Sequence, residues 1–384
     1  MSGGVAAAEA GAVTRVTARV VAVDVGREVR TPVGSFAVQH YVVVTVEAGG
    51  TAGDAYGWTF HAPEAAIVRD MTAYLGSLLI GRPAADIGAA WTAMDQALRL
   101  TGRAGVGMFG LSLLDTALWD LAGRAHGLPL WRLLGADVPS RMPCYASQAL
   151  FLTSTRAMLA EEAGRLRDEG YATVKMRVGL ADRAEDLRRV ETVRDALGDG
   201  IDLMADAVLA WDAATAGRML RALEPFDLAW LEDPVDYHEG LRPEPLARLR
   251  REGRVPLAAG EFLYTAAAHQ ALLDARAVDY LIVDLQRVGG VTGWRDVAAQ
   301  ARAAGVPLAA HVFPELALHL YGSSVPLATP IEFLPWSTQL SRRPLRPRDG
   351  HLPRPEEPGV GLCLDWRRIE ERTVGEVREV AGNG

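Results

Sequence analysis

The sequence predicts an α/β fold built around a closed parallel barrel, with an α+β block ahead of it. Three observations carry that expectation. From Met142 onward, short apolar runs alternate with Ala/Leu/Arg-rich segments of helical spacing, the rhythm of successive βα units. Before Met142 the order differs, with β-rich runs first and helical segments after them. Ionisable residues then close one apolar run after another, 23 to 31 residues apart, about one βα unit each time.

In chain order, residues 1–12 are Gly/Ala-rich and are expected to fray. Two β-rich runs follow, VTRVTARVVAVDV and FAVQHYVVVTVEA, with GREVRTPVG between them reading as a loop because it carries turn formers. The stretch AGGTAGDAYGWTF leads into residues 63–135, where Ala and Leu recur at helical spacing. Eight strands are expected next: 142–147, 173–178, 201–206, 227–233, 255–261, 279–284, 306–311 and 329–333. Eight strands with helices between them suit a closed barrel. A doubly wound sheet is the alternative, but no GxGxxG or GxxxxGK[ST] follows any of these strands. From about Arg343 the tail is rich in Pro and Arg, loses the barrel rhythm and is expected to return to the first block.

Composition narrows the function. The 384 residues are 49% hydrophobic and 23% charged, values of a soluble globular protein. A formal net charge of −8 leaves no basic surface for nucleic acid. Two cysteines, Cys144 and Cys363, cannot make a disulfide framework and read as small buried hydrophobes. The N-terminus lacks the basic start and Leu-rich core of a signal peptide. The most apolar stretch, Val106–Leu121, is interrupted by Asp115 and Asp120, so no membrane span is expected. The expected location is cytoplasmic. Of the 40 Lys+Arg residues only Lys175 is a lysine.

The strand ends carry the chemistry. In order they finish on or near Lys175, Asp206, Glu232, Glu261, Asp284 and His311, which a barrel would bring to one mouth. A lone acid after a strand is ordinarily a helix N-cap or a solvated loop residue. Three on consecutive strands, Asp206, Glu232 and Glu261, would repel one another unless a cation sat among them. An all-oxygen set favours a hard ion, Mg²⁺ before Mn²⁺ or Ca²⁺. A single His in a core is usually structural, but His311 paired with Asp284 on the neighbouring strand is a candidate general base. Lys175 sits within a Val/Met-rich strand at the same end, where a flexible ammonium suits a site contact.

These residues resemble the enolase superfamily, in its mandelate racemase-like acid-sugar branch, over nearly the whole chain. Ser112–Gly135 is similar to the family's capping-domain helix signature, and Lys175-Met176-Arg177 stands at its K-x-K motif. Asp206, Glu232 in WLEDP and Glu261 in AAGEF stand at the three magnesium ligands. Asp284 with Gly289-Gly290-Val291-Thr292, the His311 dyad partner, Glu332 and Pro358-Gly359-Val360-Gly361 complete the resemblance. It implies a (β/α)7β modified TIM barrel over 136–342 and an α+β capping domain over 1–135, on which residues 343–384 pack. It also implies Mg²⁺, with Mn²⁺ as a substitute, a small carboxylate substrate and a homo-oligomer from dimer to octamer. The shared first step is loss of an α-proton to give a metal-stabilised enediolate. Lys175 would stabilise that charge, and Glu332, if protonated, could donate a hydrogen bond to the same carboxylate. Specificity is implied for the capping domain, with Arg30, Tyr56, Trp58 and His61 as candidates; Tyr56 and Trp58 could instead simply pack between the domains.

The departures from the family pattern bear on the reaction. Arg177 stands where the second lysine is normally a base, and a guanidinium is a poor proton acceptor at neutral pH. A racemase needs a base on each face of the α-carbon, whereas a dehydratase can use His311 alone. Val208 replaces a common Asn and Phe262 a common polar residue, which makes the pocket less sugar-like. The expected function is therefore dehydration of an acid sugar or other 2,3-dihydroxy acid by a hydro-lyase. A racemase or epimerase of a 2-hydroxy acid is the alternative isomerase reading, and a catalytically silent barrel with a binding role is the rival of another class.

Overall fold

The computed structural model describes residues 11–324 and 329–382. The expected fraying falls mostly on residues outside this range, but Ala12 is held in a bridge to Pro83.

The cap opens with three antiparallel strands, β1 (Val13–Thr31), β2 (Gly34–Ala48) and β3 (Thr51–Thr59). Two of these findings correct the sequence reading. GREVRTPVG is mostly strand: Val29, Arg30 and Thr31 pair with Phe36, Ser35 and Gly34, leaving only a tight turn at Pro32-Val33. Its turn formers serve a bulge instead, since the ladder slips between Asp24 and Val29 around Gly26 at φ +78°. AGGTAGDAYGWTF supplies the third strand, paired with β2 from Thr51–Ala48 to Thr59–His40. Helices α1 (Ala62–Ser77), α2 (Ile87–Ala97) and α3 (Val106–Ala125) follow. The sheet and helices bury one apolar cluster that includes Val16, Val44, Leu75, Leu114 and Leu118. Asp115 and Asp120 lie inside this packing, and no helix among the described residues is long and apolar enough to cross a membrane.

After the short α4 (Leu130–Leu133) the chain makes eight parallel strands. They are β4 (Arg141–Ala146), β5 (Thr173–Arg177), β6 (Asp202–Asp206), β7 (Leu228–Glu232), β8 (Leu257–Ala259), β9 (Tyr280–Asp284), β10 (Leu308–His311) and β11 (Ile331–Phe333). Seven helices lie between them: α5 (Arg156–Asp168), α6 (Arg183–Leu197), α7 (Ala213–Leu223), α8 (Glu244–Glu252), α9 (Ala266–Asp274), α10 (Gly290–Ala304) and α11 (Pro314–Ser324). The order is therefore (β/α)7β. Ladders join β4 to β10 in sequence and β11 back to β4. The last gap is spanned by side chains, with Thr329 Oγ1 donating to Leu308 O at 3.1 Å and Val312 N donating to Glu332 Oε2 at 2.8 Å.

Thr155, Asp182, Asp212 and Thr265 accept backbone N–H bonds at the starts of α5, α6, α7 and α9. Each satisfies donors that a helix start leaves open. The acids that serve as caps are thus distinct from those at the strand ends. The C-terminal segment divides. Strand β12 (His351–Pro353) pairs with β4, α12 (Trp366–Glu371) follows, and β13 (Thr373–Ala381) completes the cap sheet beside β1.

Candidate active site

Parallel register brings the strand-end groups together. Arg177 pairs with Asp206, Asp206 with Glu232, and Asp284 with His311 across neighbouring strands. Lys175, two residues before Arg177, shares its side of β5 and lies deeper. An interior layer of Tyr145, Met204, Trp230, Ala258, Ile282 and Ala309 seals the barrel. With water excluded, charges there interact strongly.

Lys175 is 1% exposed and ionic on three sides. Its Nζ lies 3.1 Å from both Glu232 oxygens, 2.9 Å from Glu332 Oε1 and 3.5 Å from Asp206 Oδ2. Burial opposes its charge, but Glu232 and Glu332 outweigh it and push the ammonium pKa well up. Glu332 corrects an expectation. Burial would favour the acid form, yet Lys175 foremost, then His311 and Arg177, hold its carboxyl well below the usual range. It is a carboxylate here, an acceptor from Val312 N, and has no proton to donate.

His311 Nδ1 lies 2.6 Å from Asp284 Oδ2, and Nε2 lies 3.3 Å from Glu261 Oε2. Asp284 is itself held by Gln286 N at 2.7 Å and Arg287 Nη1 at 3.4 Å. Burial opposes its ionisation, but Arg287 and His311 keep its carboxyl below the ordinary value. An ionised carboxylate can only accept, so Nδ1 carries a hydrogen and Nε2, facing Glu261, is the nitrogen that gains and loses the titrating proton. Burial pulls the imidazole pKa down, while Glu261 and Asp284 push it up to about 9. Burial also raises Glu261 to about 7, against the pull of His311.

These shifts have a measurable sign. His311 rises from 6.5 to about 9, so its contribution to stability is complete below 6.5 and is lost as pH rises through 9. Glu261 rises from 4.5 to about 7, so the folded state also binds its extra proton only at the acid end. Both act in one direction. Calorimetry in chelator should show the Tm falling steadily between about pH 6.5 and 9, with the slope flattened by Mg²⁺. A flat or rising Tm would count against this electrostatic picture.

Asp206, Glu232 and Glu261 are the residues that could hold a metal. Among the described residues no three His, Cys, Asp or Glu groups are already drawn in to metal-holding spacing, and the Lys175 ammonium spans Asp206 and Glu232 instead. The donor chemistry nevertheless fits a hard divalent ion. Glu232 is pushed well up by burial and, despite Lys175, by Asp206 and Glu261. The site therefore carries a surplus of negative charge on oxygen ligands, which such an ion would relieve.

A cavity of about 260 Å³ opens above this floor and is lined at its base by Arg177, Asp206, Glu261, Asp284 and His311. Arg177 Nε lies 3.5 Å from Asp206 Oδ2, Nη1 donates to Ser147 O at 3.2 Å, and the guanidinium sits 5.2 Å over the Phe151 ring. Val208 and Phe262 both line the cavity, as does Trp58. The other cap candidates lie elsewhere. Arg30 is exposed in a neighbouring groove, and His61 is the exposed N-cap of α1. Tyr56 packs on Tyr41 and Phe313 and donates to Glu315 Oε2 at 2.6 Å. Alternation along β1 turns Thr31 to the cavity and Arg30 away from it, and the first turn of α1 brings Glu64 to the cavity three residues after His61. Cys144 is buried and Cys363 half-buried, both as free thiols.

Two residues not anticipated are Gln286 and Arg287, two and three residues past the end of β9. Gln286 clasps the backbone of Trp58, accepting from its N at 2.6 Å and donating to its O at 3.0 Å. A residue just past the dyad strand thus ties the barrel to the cap wall. The only sequence signal was their polarity in DLQRVGG. A Cβ at Gly57 would lie 2.5 Å from Gln286 Oε1. Gly57→Ala is therefore expected to displace the clasp and raise KM about tenfold with a smaller change in kcat, since displacements near 1 Å are costly. Steady-state kinetics would check this, and an unchanged KM would show the clasp is dispensable.

The chain as a whole is similar to known proteins. The model described as enolase C-terminal domain-like matches residues 158–368, and that of the mandelate racemase/muconate lactonizing enzyme N-terminal domain matches 15–135. A 3,6-anhydro-α-L-galactonate cycloisomerase of Streptomyces coelicolor is 34% identical over 346 residues, covering 88% of this chain and 93% of that protein. An L-talarate/galactarate dehydratase of Salmonella typhimurium is 35% identical over 286 residues, covering 74% and 71%. The crystal structure of L-talarate dehydratase from Polaromonas sp. JS666, complexed with Mg and L-glucarate, superposes with a TM-score of 0.88 at 31% identity, covering 97% of this chain and 100% of that one.

Proposed function

Because the chain belongs to the mandelate racemase/muconate lactonizing enzyme branch of the enolase superfamily, we propose that it is a hydro-lyase that removes the α-proton of a 2,3-dihydroxy acid and then expels the β-hydroxyl as water. The His311–Asp284 pair at the cavity, with Arg177 rather than a second His or Lys among the described residues lining it, carries this reading. Asp206, Glu232 and Glu261 would hold Mg²⁺, or Mn²⁺ in its place. The ion when bound supplies Lewis-acid charge against the negative charge that the substrate carboxylate gains.

The chain's own groups do the rest. His311 Nε2 takes the α-proton, and Asp284 holds the opposite N–H and stabilises the imidazolium. Arg287 keeps Asp284 ionised. Arg177, fixed by Ser147, Asp206 and Phe151, sets a permanent cation at the cavity floor for a carboxylate or hydroxyl. Lys175 adds charge from beneath. The imidazolium returns its proton to the departing hydroxyl on the same face, and the enol product tautomerises to a 2-keto acid.

The cycloisomerase relative that spans most of the chain favours a second reading, in which the leaving oxygen stays tethered within the molecule. One experiment separates these. The protein with Mg²⁺ is incubated in D₂O with 2-hydroxy and 2,3-dihydroxy acids, including anhydro sugar acids, and 2-keto acid, product mass and α-deuterium are followed. A keto acid one water lighter than its substrate supports dehydration. A 2-keto acid isomeric with its substrate apart from incorporated deuterium favours cycloisomerisation, and deuterium exchange with inversion and no keto acid favours a racemase. No exchange from any compound would leave a binding role.

A further inference from the structure

The cavity has a chemical asymmetry that proton transfer alone does not explain. Its floor is ionic, but its upper wall is aromatic and comes from both domains. Phe36 and Phe60 stand on the cap side, and Phe151 and Trp336 on the loops after β4 and β11. Phe36 and Phe60 stack with centroids 4.9 Å apart, Phe36 meets Trp336 edge-on at 5.4 Å, and Phe151 stacks on Trp336 at 6.1 Å. The rings form one packed surface, so none is free to turn aside for a polar ligand.

Four polar side chains of the wall are already engaged, while the Trp58 indole N–H is buried without a partner. Thr31 Oγ1 donates to Gly34 O at 3.2 Å and Thr59 Oγ1 to His61 O at 3.0 Å. Glu64 Oε2 accepts from His61 N at 3.3 Å, and Gln286 uses both ends of its amide on Trp58. A hydroxylated tail placed here would leave water and find these partners occupied, whereas a hydrocarbon tail would gain by the same burial.

We propose that the substrate is a 2,3-dihydroxy acid whose C3 substituent is an aryl or branched alkyl group rather than a hydroxylated chain. This rests on the dehydration reading and departs from the sugar acids for which the compared relatives are named. The step balances without a co-reactant. The Cα–H bond breaks and its proton passes to His311. The electron pair forms the Cα=Cβ bond as the Cβ–O bond breaks, and the hydroxide leaves with that proton as water. The enol then becomes R–CH₂–CO–COO⁻.

The test uses the Mg²⁺-loaded protein and four groups of probes. They are the stereoisomers of 2,3-dihydroxy-3-phenylpropanoate, those of 2,3-dihydroxy-4-methylpentanoate, glycerate as the tail-free acid, and polyhydroxy aldonates and aldarates. Keto-acid formation and α-deuterium exchange are measured for each. The expected result is a kcat/KM at least about tenfold higher for a phenyl or branched acid than for any polyhydroxy acid, from unmatched buried hydroxyls. Dehydration of polyhydroxy acids at an equal or greater rate overturns the tail assignment and leaves the reaction intact. Exchange without keto acid overturns the reaction, and the tail is then judged by exchange rates: preference for phenyl or branched acids upholds it and the reverse overturns it. Silence with every probe overturns both.

Discussion

Replacing His311 with Asn is expected to lower kcat by about 10²–10⁴-fold, the range for loss of a positioned general acid–base. The substitution keeps an N–H donor within reach of Asp284, so the fold should survive while the proton acceptor at Nε2 disappears. His311 is the group at the cavity floor fitted for this work, since its Nδ1 is committed to Asp284 at 2.6 Å. Arg177, on the far side, is a guanidinium held by Ser147 and Asp206. The variant should therefore lose solvent deuterium exchange at the α-carbon as well as product formation, with its thermal unfolding little changed. Activity within tenfold of the parent protein would sink His311 as the base.

The second large effect concerns stability. Lys175→Met should destabilise the metal-free protein by about 3–5 kcal/mol, the cost of stranding buried charge when one partner of an ion pair is removed. Three carboxylates depend on this ammonium, at 2.9 Å for Glu332, 3.1 Å for Glu232 and 3.5 Å for Asp206. Without it Glu332 loses the main influence that keeps it ionised, and Glu232 rises further. The folded variant then binds more protons than the unfolded chain, so its deficit should grow with pH. Denaturant unfolding in chelator at pH 6 and pH 8 would measure both parts. Mg²⁺ should recover some of the loss, because an ion that binds only the folded state stabilises it by mass action. A deficit below about 1 kcal/mol in chelator would resemble an exposed pair and contradict the buried-cluster picture.

The parts of the site legible in the sequence were those with a local period. Asp206, Glu232, Asp284 and His311 end their strands, Glu261 lies two residues past β8 and Lys175 two residues inside the end of β5, and βα units of similar length repeat that position around a barrel. Asp182 and Asp212 show why one acid is never enough, since both are helix caps. Other features had no local signal. Gln286 acts through the backbone of Trp58, a residue 228 positions away. The aromatic wall draws on β2, the end of β3 and two barrel loops. Turn formers in GREVRTPVG suggested a loop, but a bulged ladder used them without ending the strand.

The sequence by itself determined the (β/α)7β order, the strand-end acids and the His–Asp pair. These follow from hydrophobic period and spacing, which neighbouring residues encode among themselves. Only the tertiary structure decided that Glu332 is a carboxylate, that Lys175 lies beneath the cavity, and that Phe36 faces it while Arg30 and Tyr56 do not. Each of those depends on charges and surfaces from distant segments meeting in a space closed to water. There the pKa of a group and the character of a wall belong to the assembly rather than to the residue.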